Sequence, residues 1–166
     1  MRRFKKTKAD PDKAADPQAV RSAAVALLAG RDFASGELRE KLKDKGYDAA
    51  VVAEAVAELV EGQVLDDARY AEHYVAYHAD RGQGPIRIKG DLKALGLSLE
   101  TIDIALATVP SWPARAREVR IRKFGLESPD TWAEKGRQTR FLQYRGFSSD
   151  HIRAALGSDF DPDEPS

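Results

Sequence analysis

This chain of 166 residues repeats itself every 50 positions, and that period limits the architectures open to it. The segments Leu42-Lys43-Asp44-Lys45-Gly46-Tyr47-Asp48, Leu92-Lys93-Ala94-Leu95-Gly96-Leu97-Ser98 and Leu142-Gln143-Tyr144-Arg145-Gly146-Phe147-Ser148 share their pattern. The register continues through Val52, Ile102 and Ile152, then Ala55, Ala105 and Ala155, then Val56, Leu106 and Leu156. Self-similarity at this spacing belongs to stacked supersecondary units, each too small to bury its apolar face alone. Such arrays bind through extended surfaces, so the period directs attention away from a single enzyme-type core.

Each repeat reads as three helices, and the alternating apolar and polar runs of strands are absent. In the first, Val20, Ala24, Leu27 and Leu28 form one stripe. Ser35 is placed to cap a second helix with Leu38 and Leu42 inward, Gly46 to end it, and Asp48 to cap a third carrying Val52, Val56, Leu59 and Val60. In the second, Asp66 or Asp67 caps a helix bearing Tyr70, Tyr74 and Tyr77. Pro85 opens the next helix, with Ile88, Leu92 and Leu95 on one face; Gly96 ends it and Ser98 caps the last. The third predicts helices over about 114–124, 131–145 and 148–156. There the template loosens, because Gln138 stands in the column of Leu38 and Ile88. Either the register shifts, the preferred reading, or a partner covers that position. The expected organisation is a flexible basic tail over 1–17, three-helix repeats over 18–62, 63–109 and 110–157, and an acidic tail over 158–166.

Charge sums to zero but unevenly: residues 1–18 carry net +3 and residues 158–166 net −4. There are no cysteines, which excludes disulfides and thiolate metal sites. The basic start Met1-Arg2-Arg3-Phe4-Lys5-Lys6 is not followed by an apolar segment, and no run reaches the ~18 residues of a membrane span. These features predict a soluble cytoplasmic protein.

Support for catalysis is slight. His73 and His78 are five apart, off the spacing of three or four that sets two ligands on one helix face. Gly82-Gln83-Gly84 is too short for a dinucleotide loop, and Asp66-Asp67 reads as helix capping. No catalytic, cofactor or metal site is expected, and the chain reads as a non-enzyme.

Nucleic-acid binding is a stronger candidate, since helix, glycine turn and capped helix is the helix-turn-helix pattern. Its reading helix, however, would be acidic here. Asp48 to Glu61 holds Asp48, Glu54, Glu58 and Glu61 without a base; Ser98–Val109 holds Glu100 and Asp103; Ser148–Leu156 has Arg153 offset by Asp150. Such helices repel phosphates and lack the arginines that read guanine. Positive charge lies on the others. Arg87, Lys89 and Lys93 face Asp91 in the middle helix of repeat two. Lys135, Arg137, Arg140 and Arg145 face Glu134 in that of repeat three, and Arg115, Arg117, Arg120, Arg122 and Lys123 precede them. A basic stripe building toward the C-terminal repeats suits an acidic protein surface or a nucleic-acid backbone, without base specificity.

Three blocks carry a family likeness. Val64-Leu65-Asp66-Asp67-Ala68-Arg69-Tyr70-Ala71, Arg81-Gly82-Gln83-Gly84-Pro85 leading to Ile88, Leu92 and Gly96, and Arg140-Phe141-Leu142-Gln143-Tyr144-Arg145-Gly146-Phe147-Ser148 with Ile152 resemble motifs of the RecX family of bacterial recombination regulators. Ser35-Gly36-Glu37-Leu38-Arg39-Glu40-Lys41-Leu42 matches the family's first-repeat form, and the resemblance spans about residues 18–157. It implies an all-α molecule of three tandem three-helix, helix-turn-helix-like repeats in an elongated curved array. It also implies a monomeric, cofactor-free regulator that binds the RecA recombinase filament on single-stranded DNA, limits its growth or promotes its disassembly, and so inhibits its ATPase, strand-exchange and coprotease activities. The alternative is a helix-turn-helix-type protein acting directly on single- or double-stranded DNA. The residues expected to contact the partner are Arg81, Arg87, Lys89, Lys93, Arg120, Arg122, Lys123, Arg140 and Arg145, with Arg145 equally able to cap its own helix.

Overall fold

The computed structural model describes residues 8–157, which form nine α-helices and no strand among them. In chain order these are α1 (Pro17–Leu28), α2 (Ser35–Asp44), α3 (Ala49–Glu61), α4 (Asp67–Asp80), α5 (Pro85–Ala94), α6 (Leu99–Leu106), α7 (Trp112–Phe124), α8 (Trp132–Arg145) and α9 (Ser149–Leu156). The described chain divides into two compact units, residues 8–70 with 95–98 and residues 71–94 with 99–157.

In the first unit, Val20, Ala24, Phe33, Leu38, Leu42, Val52, Ala55, Val56 and Leu65 form one buried cluster. Asp16 caps α1 through the Gln18 N–H, and Asp48 caps α3 through those of Ala50 and Val51. Residues 8–17 depart from the expected loose tail. Pro11–Lys13 form a 3₁₀ turn, Ala9 N–H donates to the Lys45 carbonyl (2.7 Å), and Asp48 N–H donates to that of Ala14 (2.8 Å). This segment gives the α2–α3 turn hydrogen-bond partners that it would otherwise take from water. Residues 1–7, and the acidic stretch 158–166, lie outside the described residues.

Ser35 does not cap α2. It is the first helical residue, and the position before it is Ala34, which has no side-chain oxygen. The cap comes from 32 residues away: Asp67 accepts from the Ser35 N–H (2.7 Å) and from its hydroxyl (2.6 Å). Asp66 caps α4 itself through the Arg69 N–H (3.0 Å). The two adjacent carboxylates therefore serve two different helix N-termini, where anions are favoured by unpaired N–H groups and the helix dipole.

In the second unit, Ala116, Val119, Leu142, Phe147, Ile152, Ala155 and Leu156 form the buried cluster of α7–α9, with Trp112 and Phe141 against it. Ser111 and Thr131 cap α7 and α8, and Ser148 forms a capping box with His151 at α9. The α8–α9 turn is bolted to the start of α5: Gly84 N–H donates to the Arg145 carbonyl (2.7 Å) and Ile86 N–H to that of Gly146 (3.0 Å). A Cβ on Gly84 would collide with the Gly146 backbone, and one on Gly146 with Arg87.

Gln138 corrects both expectations made for it. It is only 3% exposed, so the column of Leu38 and Ile88 stays buried and the register is kept. Its polarity answers Arg120, which stands in the column of Val20 and is itself 3% exposed. Arg120 donates to the carbonyls of Glu127 (2.9 Å) and Leu126 (3.3 Å) and to Gln138 Oε1 (3.5 Å), while Gln138 Nε2 donates to Glu134 (3.0 Å). A buried guanidinium demands acceptors; the glutamine and the α7–α8 loop supply them to its two terminal nitrogens, while Nε is buried without a partner among the described residues.

Candidate partner-binding surface

The third helix of each repeat offers no cationic face. On α3, Glu58 is held by Arg21 (2.9 Å), whose hydrogen bond lowers the carboxyl pKa. Asp103 on α6 pairs with Lys89 (2.7 Å), and Arg153 on α9 pairs with Asp150 (3.0 Å). Local geometry thus agrees with the acidic sequence of these helices: they are unsuited to phosphate contact.

A basic cleft of about 130 Å³ lies in the second unit, lined by Arg81, Gly82, Val119, Arg122, Lys123, Phe141 and Arg145. Arg81 and Gly82 follow the end of α4, Arg122 and Lys123 form the last turn of α7, and Phe141 and Arg145 lie one turn apart on α8. Arg145 bridges two repeats: its Nη1 donates to the Arg81 carbonyl (3.3 Å), 64 residues away, and its guanidinium lies 5.2 Å from the Phe141 ring centre. It does not cap its own helix, the alternative role expected for it, but anchors the end of α4 while lining the cleft. Arg81 stacks on Tyr77 at 3.4 Å, and Arg87 lies 5.7 Å from Tyr144. Among the described residues, no carboxylate forms an ion pair with Arg81, Arg122, Lys123 or Arg145.

Of the nine basic residues expected at an interface, four converge on this cleft, and Arg87 lies beside it against Gly146. Lys93 and Arg140 are exposed outside the cleft lining. Lys89 is tied to Asp103, but so exposed a pair contributes at most about 1 kcal/mol and exchanges easily for another anion. Arg120 does not belong to the surface; burial lowers its pKa, with Arg117 adding to the effect, and its hydrogen bonds are spent on the α7–α8 loop. Sequence reasoning missed the aromatics. Tyr77, placed only on the first helix of repeat two, is 52% exposed, and Tyr144 is 76% exposed. For Tyr77 the signal was the spacing Tyr77–Arg81, four apart at the end of α4, as for Phe141–Arg145 on α8; for Tyr144, which meets Arg87 of α5, no local spacing signalled the contact.

Family models for the first, second and third three-helix domains of RecX match residues 21–59, 66–106 and 113–156. The chain belongs to the RecX family. A protein of Halorhodospira halophila named "Regulatory protein RecX" is 41% identical over 148 residues, covering 89% of this chain and 92% of the relative. A Pseudomonas fluorescens protein of the same name is 40% identical over 145 residues, covering 86% and 94%. The crystal structure of RecX from Lactobacillus salivarius shares the fold with a TM-score of 0.74 at 20% identity, over 85% of this chain and 94% of that one. The RecX relatives are named as regulatory proteins, and among the described residues no helix is long and apolar enough to cross a membrane.

Proposed function

We propose that this RecX-family protein binds the RecA recombinase filament and inhibits its ATPase, strand-exchange and coprotease activities, by limiting filament growth or promoting disassembly. It acts as a cytoplasmic, non-catalytic monomer whose three modules span 18–62, 63–109 and 110–157. The observation that supports this reading is the basic cleft, whose cations form no ion pair with a carboxylate among the described residues and include the family-motif residues Arg81 and Arg145. A nucleoprotein filament is densely anionic, and such a cleft is attracted to it without reading bases. Direct helix-turn-helix recognition of duplex DNA finds no support in the acidic or internally paired third helices.

RecA ATPase on single-stranded DNA, with this protein titrated from well below one per filament subunit, tests the reading. Inhibition is expected. Inhibition at substoichiometric levels indicates end capping or disassembly, and inhibition only near saturation indicates occupancy along the filament. Reversing charge at Lys89, Lys93, Arg122 and Arg140 together is expected to abolish the effect while helical circular dichroism is unchanged. Full inhibition by the folded quadruple variant would remove these four cations, of which Arg122 alone lines the cleft, from the mechanism, and no inhibition by the unaltered protein would remove the filament as partner.

A further inference from the structure

His78 has no part in any role assigned so far. It lies in the last turn of α4, half-buried, with its ring centre 4.0 Å from that of Tyr74 and, edge-on, 5.1 Å from that of Tyr77. Its Nδ1 is buried without a hydrogen-bond partner among the described residues, and so is Oε1 of Gln83 in the α4–α5 loop. The Gln83 side chain comes close enough to the ring to favour its charged form, although no bond within ordinary limits is formed.

Two buried polar atoms left unpaired beside each other are costly, and one proton satisfies both. A carbonyl oxygen such as Oε1 only accepts. Nδ1 accepts when bare and donates when it carries the proton. A bare Nδ1 would set two acceptors against each other. Turning the amide over is the other way to pair them, but it brings two N–H donors to a site with one ring acceptor. With Oε1 inward, the amide nitrogen is not among the atoms buried without a partner.

The groups acting on the ring come from α4, the loop and α5. Burial has the largest influence and lowers the imidazole pKa; Asp91 of α5 opposes it, Arg81 of the loop adds to it, Gln83 opposes it and Arg87 of α5 adds to it. From α4 itself, Tyr74 and Tyr77 contribute rings, and the Tyr74 hydroxyl donates to Asp91 (3.3 Å). A ring titrating below its ordinary 6.5 is neutral near pH 7, so it holds a single proton on one nitrogen. The loop depends on where that proton sits. The N–H groups of Arg81 and Gln83 both donate to the His78 carbonyl (3.2 and 3.0 Å), and Gln83 leads directly into Gly84, whose N–H holds the Arg145 carbonyl.

We infer that His78 carries its proton on Nδ1 and donates it to Gln83 Oε1, and that this pair positions the α4–α5 loop, with Arg81 at its head, against the α8–α9 turn. Both are positioning residues, and neither is assigned a contact with a partner. Any effect exerted through Arg81 rests on the inhibitory reading above; the site of the proton and the order of the loop do not.

Ring-nitrogen NMR of the full chain labelled with 15N-histidine tests the pair, with His78→Asn identifying the His78 signals among the three histidines. At pH 7.5 the His78 ring is expected in the Nδ1–H form. In Gln83→Leu that preference is expected to be lost and the titration midpoint to fall. Gln83→Glu restores an acceptor, and is expected to keep the Nδ1–H form and to titrate at higher pH than the unaltered protein. An Nε2–H ring in the unaltered protein overturns the inference, as do an unchanged tautomer and midpoint in Gln83→Leu. Hydrogen exchange reads the loop. The Gly84 and Ile86 amides are expected to exchange about tenfold or more faster in Gln83→Leu and close to the unaltered rate in Gln83→Glu, with the amides of α1–α3 unaffected in both. Equal rates in Gln83→Leu and the unaltered protein overturn the positioning role. Circular dichroism checks both folds; should Gln83→Leu not fold, the unaltered ring and Gln83→Glu still decide where the proton sits. RecA ATPase is run on the same proteins. Weaker inhibition by Gln83→Leu, recovered in Gln83→Glu, supports action through Arg81. Full inhibition by a Gln83→Leu protein whose loop exchanges faster overturns that action. No inhibition by the unaltered protein overturns the proposed function, while the NMR and exchange results still decide the pair.

Discussion

His151 shows how a single side chain can make a helix end sensitive to pH. Its Nδ1 accepts from the Ser148 N–H (3.3 Å), and its own N–H donates to the Ser148 hydroxyl (3.3 Å), closing the capping box of α9. Only the neutral ring can accept through Nδ1, and burial lowers the imidazole pKa below its ordinary 6.5, with Asp150 opposing the shift. A depressed pKa in the fold means that the unfolded chain takes up the proton first. Stability is therefore full above about pH 6.5 and declines as pH falls below it. Glutamine at this position retains an acceptor for the box and cannot titrate. The His151→Gln protein is expected to lose less Tm than the unaltered one between pH 7.5 and pH 5.5 in parallel thermal melts; identical losses would show that the cap does not depend on the neutral ring. Residue-level reading of the sequence worked where partners are near. Asp48, Asp66 and Gly146 could be assigned from their neighbours, whereas Asp67 capping α2 across 32 residues and Arg120 drawing Gln138 into the core could not, because chain folding alone creates those pairs.

Among the elements, the same turn occurs three times under different demands. Gly46, Gly96 and Gly146 end α2, α5 and α8 with φ of +102°, +86° and +95°, the conformation that the glycine after each middle helix predicted. Backbone conformation alone penalises a side chain there by about 1–2 kcal/mol. Gly146 adds a steric demand, because a Cβ would meet Arg87 Cβ and the backbone of α5, whereas at Gly46 the nearest atom is Ala9 Cβ at 4.0 Å. Overpacking of this kind costs a further ~1–3 kcal/mol. Gly146→Ala is therefore expected to destabilise by roughly 2–5 kcal/mol, and Gly46→Ala by about 1–2. Urea unfolding of both variants checks the difference, and equal losses would show that the α8–α9 turn yields from α5 without cost. The helices themselves were legible because their stripes, caps and stop signals are local. The docking of the Gly146 turn on Gly84 was not, since it depends on two backbones meeting 62 residues apart and no side-chain pattern records it.

Across the whole chain, zero net charge conceals a separation that matters for binding. The cleft gathers four cations with no ion-paired carboxylate among the described residues, while residues 158–166 bring Asp159, Asp161, Asp163 and Glu164 without a base. The acidic stretch begins one residue after Gly157, which follows α9, and nine residues of chain span at most about 30 Å. The expectation is that they compete with an anionic partner. Such competition is electrostatic, so it is strongest when the screening length is long: about 30 Å at 0.01 M salt, against about 8 Å at 0.15 M. Removing residues 158–166 is accordingly expected to tighten binding to the filament by severalfold at low salt, with the gain shrinking toward physiological ionic strength. A titration of the truncated and full chains at both salt concentrations checks it. Unchanged affinity at low salt would mean that the acidic residues do not reach the surface that binds, and a gain that persists undiminished at high salt would mean that they act by blocking contact sterically rather than through charge.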